Sequence, residues 1–316
     1  MSKGMVFKKT LWVFLPPGKS TYKRDTACMM AAHSLLKLLA LGAACSGSAA
    51  SVASPAPMRL RGGEVLRSAS RGDLHGPMLK FSHSPMSYFA LDLLTAKGPK
   101  ANADVGSPTE ATRPLCTVGS ASTGSWHCTE GGWECPVRES TEVFYVLEGA
   151  GSVTDTDGHK HDFAAGDTVI LPRGWSGRWD VTKAMQNVWL VHEHPEQPRA
   201  DNEAPIRAQV VQLVRDDSSR CVYEVGPTSV SIWARSPAPP RSQATFQIAG
   251  KDAGYAQFNR PTTKWMHVVE GVFFVTNADG SAQRCGPGDT LLVPKGWSGH
   301  WDIIEPCKAV SVTVFD

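Results

Sequence analysis

Apolar and polar positions alternate in short runs through most of this chain. Residues 141–181, TEVFYVLEGAGSVTDTDGHKHDFAAGDTVILPRGWSGRWDV, read as brief apolar segments broken at Asp157-Gly158 and Gly166-Asp167. The same punctuation returns at Asp279-Gly280 and Gly288-Asp289. Val, Ile, Phe, Trp and Thr fill the segments, and Asp-Gly supplies tight turns between antiparallel neighbours. Nothing of helical period exceeds about two turns beyond the N-terminal region. The pattern predicts an all-β protein, with strands closed into a sandwich or barrel.

The pattern is also duplicated. GDTVILPRGWSGRWDV at 166–181 recurs as GDTLLVPKGWSGHWDI at 288–303, with ten of sixteen positions identical at an offset of 122. A near-copy at fixed offset means one structural unit built twice. A length of 316 residues suits two domains of the usual ~100–200 residues. The expected boundaries are a leader over 1–70, a first domain over 76–194, a linker over 195–206 and a second domain over 207–316. The linker is placed by the Pro- and acid-rich HEHPEQPRADNEAP at 192–205. RAQVVQLV at 207–214 is expected to open the second unit, and 76–94 to play the same part for the first. Two such units can pack as an internal pseudo-dimer, and their barrels offer a route to homo-oligomers.

Charge changes the picture at the N-terminus. Residues 1–71 hold eleven Lys/Arg against Asp25 and Glu64, so the formal net charge of +2 comes from the leader. Residues 72–316 carry a net −7, which argues against nucleic acid or an anionic membrane as partner. The leader reads as a disordered targeting segment: an apolar run, LLKLLALGAAC at 35–45, precedes small residues. A plastid transit peptide is the favoured reading, with the secretory pathway or mitochondrion as alternatives. The run is too short, and carries Lys37, to be an integral membrane span. The six cysteines beyond the leader show no C-x-x-C spacing, so no zinc ribbon or redox pair is indicated. Cys128 and Cys135 are left open, paired or free.

Glu142-x6-Gly149, followed by Gly166-x5-Pro172-x-Gly174, resembles the two motifs of the cupin jelly roll. The second copy supplies Gly271, then Gly288-x5-Pro294-x-Gly296. The tail GWSG-x-WD is similar to the cupin subfamily named after (S)-ureidoglycine aminohydrolase (Cupin_3-like domains). The resemblance implies two tandem cupin-type jelly-roll barrels of the RmlC-like kind. It also implies, for metal-binding members, an H-x-H-x3-E-x6-G first motif and a third His on the second. Here those four positions fall on Pro136, Arg138, Glu142 and Gly177, and in the second copy on Phe258, Arg260, Lys264 and Gly299. A divalent ion needs at least three protein ligands, and Arg or Lys would repel it. The expectation is therefore no metal and no cofactor. The remaining histidines are read away from the cavity. His159 and His161 go to a solvated turn, His192 and His194 to the linker border, His127 to a loop. His267 and His300 point outward by strand parity.

Alternation from the ligand positions defines the inward set. The first barrel is lined by Arg138, Glu142, Phe144, Trp175 and Trp179, the second by Arg260, Lys264, Met266, Trp297 and Trp301. Each Trp pair either packs as core or walls a flat ligand. Arg138 and Glu142 can form an internal ion pair. Where the Glu becomes Lys264, two cations must reach solvent, pair with Glu270 or hold an anion. The expected function is metal-free binding of a small anionic metabolite, a carboxylate or ureido acid, in a Trp-lined barrel. Two alternatives stand beside it. One is a hydrolase resembling the aminohydrolase, releasing ammonia in ureide catabolism, with Glu142 as candidate acid–base group. The other is a structural bicupin with packed barrels.

Overall fold

A computed structural model of the protein describes residues 79–196, 205–214, 222–237 and 254–315. The expected leader, and most of the expected linker, lie outside the described residues.

Every regular element described is a strand, save two single turns of 3-10 helix at Met86–Phe89 and Leu91–Leu93. No helix among the described residues is long and apolar enough to cross a membrane. The first half runs β1 (Ser82–Ser84), β2 (Thr95–Pro99), β3 (Ala103–Gly106), β4 (Thr109–Val118), β5 (Ala121–Cys128), β6 (Gly131–Cys135), β7 (Thr141–Asp155), β8 (Lys160–Ala164), β9 (Thr168–Leu171) and β10 (Gly177–His192). The second runs β11 (Gln209–Val211), β12 (Val222–Val225), β13 (Thr228–Arg235), β14 (Tyr255–Gln257), β15 (Thr263–Glu270), β16 (Phe273–Asn277), β17 (Ala282–Cys285), β18 (Thr290–Val293), β19 (Gly299–Ile303) and β20 (Cys307–Val314).

Both halves are antiparallel jelly-roll barrels within one compact unit, Asp73–Asp316. In the first, β7 and β10 are long enough to bend through both walls, so its strands join in one ten-stranded sheet. In the second, the matching strands are interrupted, and the walls separate into a six-stranded and a four-stranded sheet. The bend falls at Gly149 and Gly271, with φ of +85° and +79°. A Cβ there would lie 2.3 Å from Ala184 O and 2.1 Å from Pro306 O, so close backbone approach as well as conformation requires glycine.

The two barrels exchange strands. β1 pairs with β18 of the second barrel, Ser82 opposite Leu292. β11 pairs with β9 of the first, Gln209 opposite Ile170. The segment 207–214, expected to open the second unit, thus extends the sheet of the first, and the lead-in within 76–94 extends the second. The alternation of RAQVVQLV marks a strand but carries no information about which sheet receives it.

The barrels then pack wall to wall. Thr168–Leu171 and Thr290–Val293 are buried along their whole length. Val169 and Leu171 face the first interior while Ile170 enters the contact between barrels. Leu291 and Val293 face the second interior while Leu292 enters that contact. Burial on both faces explains why TVIL and TLLV are continuous apolar runs instead of alternating ones. Val143, Val188, Leu190, Trp265, Val310 and Val312 complete the contact.

Several polar groups in the contact are paired across or within it. Trp265 donates its indole N–H to Thr123 Oγ1 at 2.8 Å. His192, expected at a solvated linker border, is buried instead, with Nδ1 2.7 Å from Thr228 Oγ1 of the other barrel. His267 does point out of its barrel, into the apolar contact and not to water. Its ring lies 5.0 Å from that of Tyr145, and Nδ1 lies 3.0 Å from Thr290 Oγ1.

Inside, each barrel is filled around one tryptophan by a reciprocal exchange of bulk. In the first, Gly151 sits opposite Phe163, and in the second Phe273 sits opposite Cys285. Phe163 reaches Trp179, and Phe273 reaches Trp301, at the same 5.8 Å centroid distance from opposite strands. The large ring changes strands while a small residue takes the facing place, a coupled exchange of the kind cores tolerate.

Candidate functional site

The duplicated Gly-Trp turn holds an arginine at each barrel mouth. Arg138 N–H donates to Trp175 O at 2.9 Å and Gly174 N–H donates to Arg138 O at 2.8 Å. In the second copy Arg260 N–H donates to Trp297 O at 2.9 Å and Gly296 N–H to Arg260 O at 2.6 Å. The repeated motif therefore pins the backbone at the position where a metal-binding barrel would place its second His.

Trp175 and Trp297, which the sequence leaves open between core and cavity wall, are both fully buried core residues. Each indole N–H is held from below, Trp175 by Asp155 Oδ1 at 2.7 Å and Trp297 by Asn277 Oδ1 at 2.8 Å. Asp155 also accepts from Ala208 N–H at 3.0 Å and lies 2.8 Å from His161 Nε2. His161 is thus part of the Trp175 support and not of a solvated turn. His127 lies on strand β5 and not in a loop.

The third-His positions are sterically closed. A Cβ on Gly177 would sit 2.1 Å from Thr154 O, and one on Gly299 would sit 2.3 Å from Thr276 O and 2.2 Å from the Trp297 ring. No set of three or more His, Cys, Asp or Glu converges among the described residues. The cysteines Cys116, Cys128, Cys135, Cys285 and Cys307 are free thiols, and burial raises Cys128 and Cys307 to about 11. They are poor thiolate ligands or nucleophiles at neutral pH. The divalent ion implied by metal-binding cupins does not fit either set of side chains.

The first barrel has a partly open cavity of about 410 Å³. Arg138, Glu142 and Trp179 reach it, as strand alternation predicts. Arg138 Nη2 donates to Glu142 Oε2, closing the expected ion pair. The opposite side comes from residues the sequence reading missed: Lys97 on β2, Lys100, Glu110 on β4, Trp126 on β5, Trp133 on β6, and Asn187 and Trp189 on β10. Lys100 Nζ lies 3.0 Å from Glu110 Oε2, and Trp126 Nε1 donates to the same oxygen at 3.1 Å. Burial works against the Glu110 carboxylate, but Lys100 and Trp126 outweigh it and hold its carboxyl below the usual value. Lys100 also stands 4.9 Å over the Trp133 ring. Trp133 and Phe144 both stack on Trp179, with centroids at 5.9 and 5.5 Å. Extending the odd-numbered face of the VWLVH run past Trp179 would have found Asn187 and Trp189.

The second barrel repeats the aromatic frame and reverses the charge. Tyr255 stacks on Trp301 at 6.1 Å, as Trp133 does on Trp179, and Trp233 takes the place of Trp126. Glu142 becomes Lys264. Its Nζ lies 5.8 Å from the Trp233 ring, and the Arg235 guanidinium lies 5.6 Å from the same ring. Arg260 is buried and, among the described residues, its side chain donates to neutral oxygens alone, Gln257 Oε1 at 3.2 Å and Thr262 Oγ1 at 3.4 Å, while its Nε meets no partner there. Glu270, a candidate counter-ion, is exposed and lines a separate pocket with Arg235 and Lys308, and among the described residues it forms no ion pair with Arg260 or Lys264. Burial, then Arg260 and Arg235, pull the Lys264 ammonium down to about 7.

The EutQ-like cupin domain matches residues 117–188 and 240–310. Among solved structures, the putative glyoxylate-induced protein from Pseudomonas aeruginosa is 12% identical at a TM-score of 0.52, covering 78% of this chain and 94% of its own. Protein Ylba from E. coli is also 12% identical, with a TM-score of 0.51 and coverages of 78% and 96%. At such identity the likeness concerns the fold alone. No match is found among curated proteins. The chain carries two cupin-type jelly-roll barrels in tandem.

Proposed function

We propose that this bicupin binds a small carboxylate or ureido-acid anion in its second barrel, through Arg260 and Lys264, with no metal ion at the barrel centre. One observation carries the reading. Arg260 and Arg235 both repel the buried Lys264 ammonium, and no carboxylate among the described contacts answers Arg260 or Lys264. Buried cations without counter-ions are costly, and an anion removes that cost. Arg260 has a planar fork suited to a carboxylate, and its buried Nε is unused. The aminohydrolase-like alternative needs a metal-activated centre, and its ligand positions hold Arg260, Lys264 and an inaccessible Gly299.

Calorimetric titration with oxalate, glyoxylate and phosphate tests the proposal. Binding to the wild type, and a loss of at least about tenfold in Arg260→Met and Lys264→Met, is expected. Equal binding by both variants overturns it. Stoichiometric manganese or zinc in the purified protein would overturn the metal-free part.

A further inference from the structure

The cavity of the first barrel has a different chemistry from the second, and its features are not used by the anion site. Its charges are nearly satisfied internally. Three cations, Lys97, Lys100 and Arg138, face two carboxylates, Glu110 and Glu142. Two ion pairs take up four of these groups. The cavity is left with one excess positive charge, which suits a single acidic group and not a dianion. Its volume lies within the ~300–1,000 Å³ of small-molecule sites.

The shape of the ligand follows from the walls. Trp126 and Trp189 are only half-buried, although both line a cavity within a barrel. They flank Asn187, which pairs with Trp126 across β10 and β5 and shares a strand face with Trp189. Trp189 lies over Gly124, where a Cβ would meet its ring at 2.8 Å, so glycine lets this indole lie close to its neighbour strand. Two indoles with uncovered surface favour a flat ring over a flexible chain. Asn187 supplies the polar reading. The residue is almost wholly buried, and its side-chain oxygen accepts no hydrogen bond. Leaving a buried acceptor unmet is destabilising, so it calls for a donor. The equivalent position in the second barrel, opposite Trp233, is Ala309. The amide therefore belongs to the first barrel alone.

We propose that the first barrel binds a planar heteroaromatic monoacid with a ring N–H. The ring contacts Trp126 and Trp189, the N–H donates to Asn187 Oδ1, and the acid group answers the excess charge near Lys97. This site is separate from the anion site in the second barrel.

Tryptophan fluorescence titration of the full chain tests it, with orotate, pyrrole-2-carboxylate and indole-2-carboxylate as probes. At least one is expected to quench saturably. Its affinity should exceed that of uracil, which lacks the acid, and of benzoate, which lacks the N–H, by tenfold or more. Asn187→Leu should remove the preference over benzoate while still binding benzoate, which a misfolded variant would not do. Arg260→Met with Lys264→Met should leave the quench unchanged, separating this site from the second-barrel reading. Absence of saturable quenching by all three acids overturns the proposal. So does equal binding of acetate, or an unchanged preference in Asn187→Leu.

Discussion

Trp265 of the second barrel donates its indole N–H to Thr123 of the first at 2.8 Å, and Thr123 in turn donates to the backbone oxygen of Trp189 at 2.6 Å. This relay joins the contact between barrels to a wall of the first cavity. Replacing Trp265 with Phe keeps most of the packing but removes a buried donor, at about 1–3 kcal/mol. Replacing it with Ala adds a cavity and should cost about 3–5 kcal/mol. Denaturant unfolding of both variants measures the difference.

Lys264 makes stability depend on pH above neutrality. Its ammonium is pulled from 10.5 in the open chain to about 7 in the fold, mainly by burial. Between these values the unfolded chain binds more protons, so stability rises with pH, by up to about 1.4 kcal/mol per unit. Below 7 the destabilisation is complete and constant. Lys264→Met should flatten this slope and raise the melting temperature at pH 7. A bound anion favours the ammonium, so affinity for oxalate should fall as pH rises above 7.

His267 sets an acid limit of a different origin. Burial between the barrels drops its imidazole from 6.5 to about 4, although nearby Asp289 opposes the shift. His83 of the exchanged strand β1 lies 3.0 Å from that same carboxylate. The unfolded chain takes up a proton through this window and the folded one does not. Stability should therefore be intact above pH 6.5 and decline as pH falls towards 4. His267→Gln should lessen the decline in thermal melts recorded across that range.

Restoring the missing metal ligand should fail. Gly177→His or Gly299→His puts a Cβ about 2 Å from a neighbouring carbonyl oxygen. Overpacking of this kind costs about 1–3 kcal/mol or more. Gly177→Ala should already lower the melting temperature, and Gly177→His should bind no stoichiometric zinc in a chelator competition.

Asp155 should be replaceable by its own repeat. Asn277 performs the same task for Trp297 with an amide oxygen. Asp155→Asn should keep the Trp175 hydrogen bond and lose the carboxylate contact with His161, while Asp155→Ala leaves a buried indole N–H and the Ala208 N–H unmet. The alanine variant is expected to be the less stable by about 1–3 kcal/mol in parallel unfolding curves.

The residues that strand parity could address were readable in the chain. Arg138, Glu142 and Trp179 reach one cavity because alternation from a motif position propagates reliably along an extended strand. Trp175 and Trp297 were ambiguous for a physical reason: whether a large indole is core or wall depends on what holds its N–H, and Asp155 and Asn277 lie twenty residues upstream. Lys97, Lys100 and Glu110 belong to strands outside the duplicated stretch, where no second copy marks an inward phase. His192 looked like a solvated group, and the outward direction of His267 did not reveal what it faces, because a polar residue in a contact between two β-walls has the same local pattern as one facing water.

The exchange of β1 and β11 has a consequence for what counts as a folding unit. Each half of the sequence carries an edge segment that its sibling's sheet needs and lacks one that its own sheet needs. A half expressed alone would leave β9 or β18 with an open edge and a short edge strand unhoused, the usual setting for self-association. A second copy of the same half does not carry the missing strand, so such a half could fill its open edge only by substituting the edge segment it does carry, as a symmetric swapped pair with β1 on β9 or β11 on β18. The linker joining the barrels thus turns an intermolecular trade into an intramolecular one, and cutting it should leave the two pieces held together.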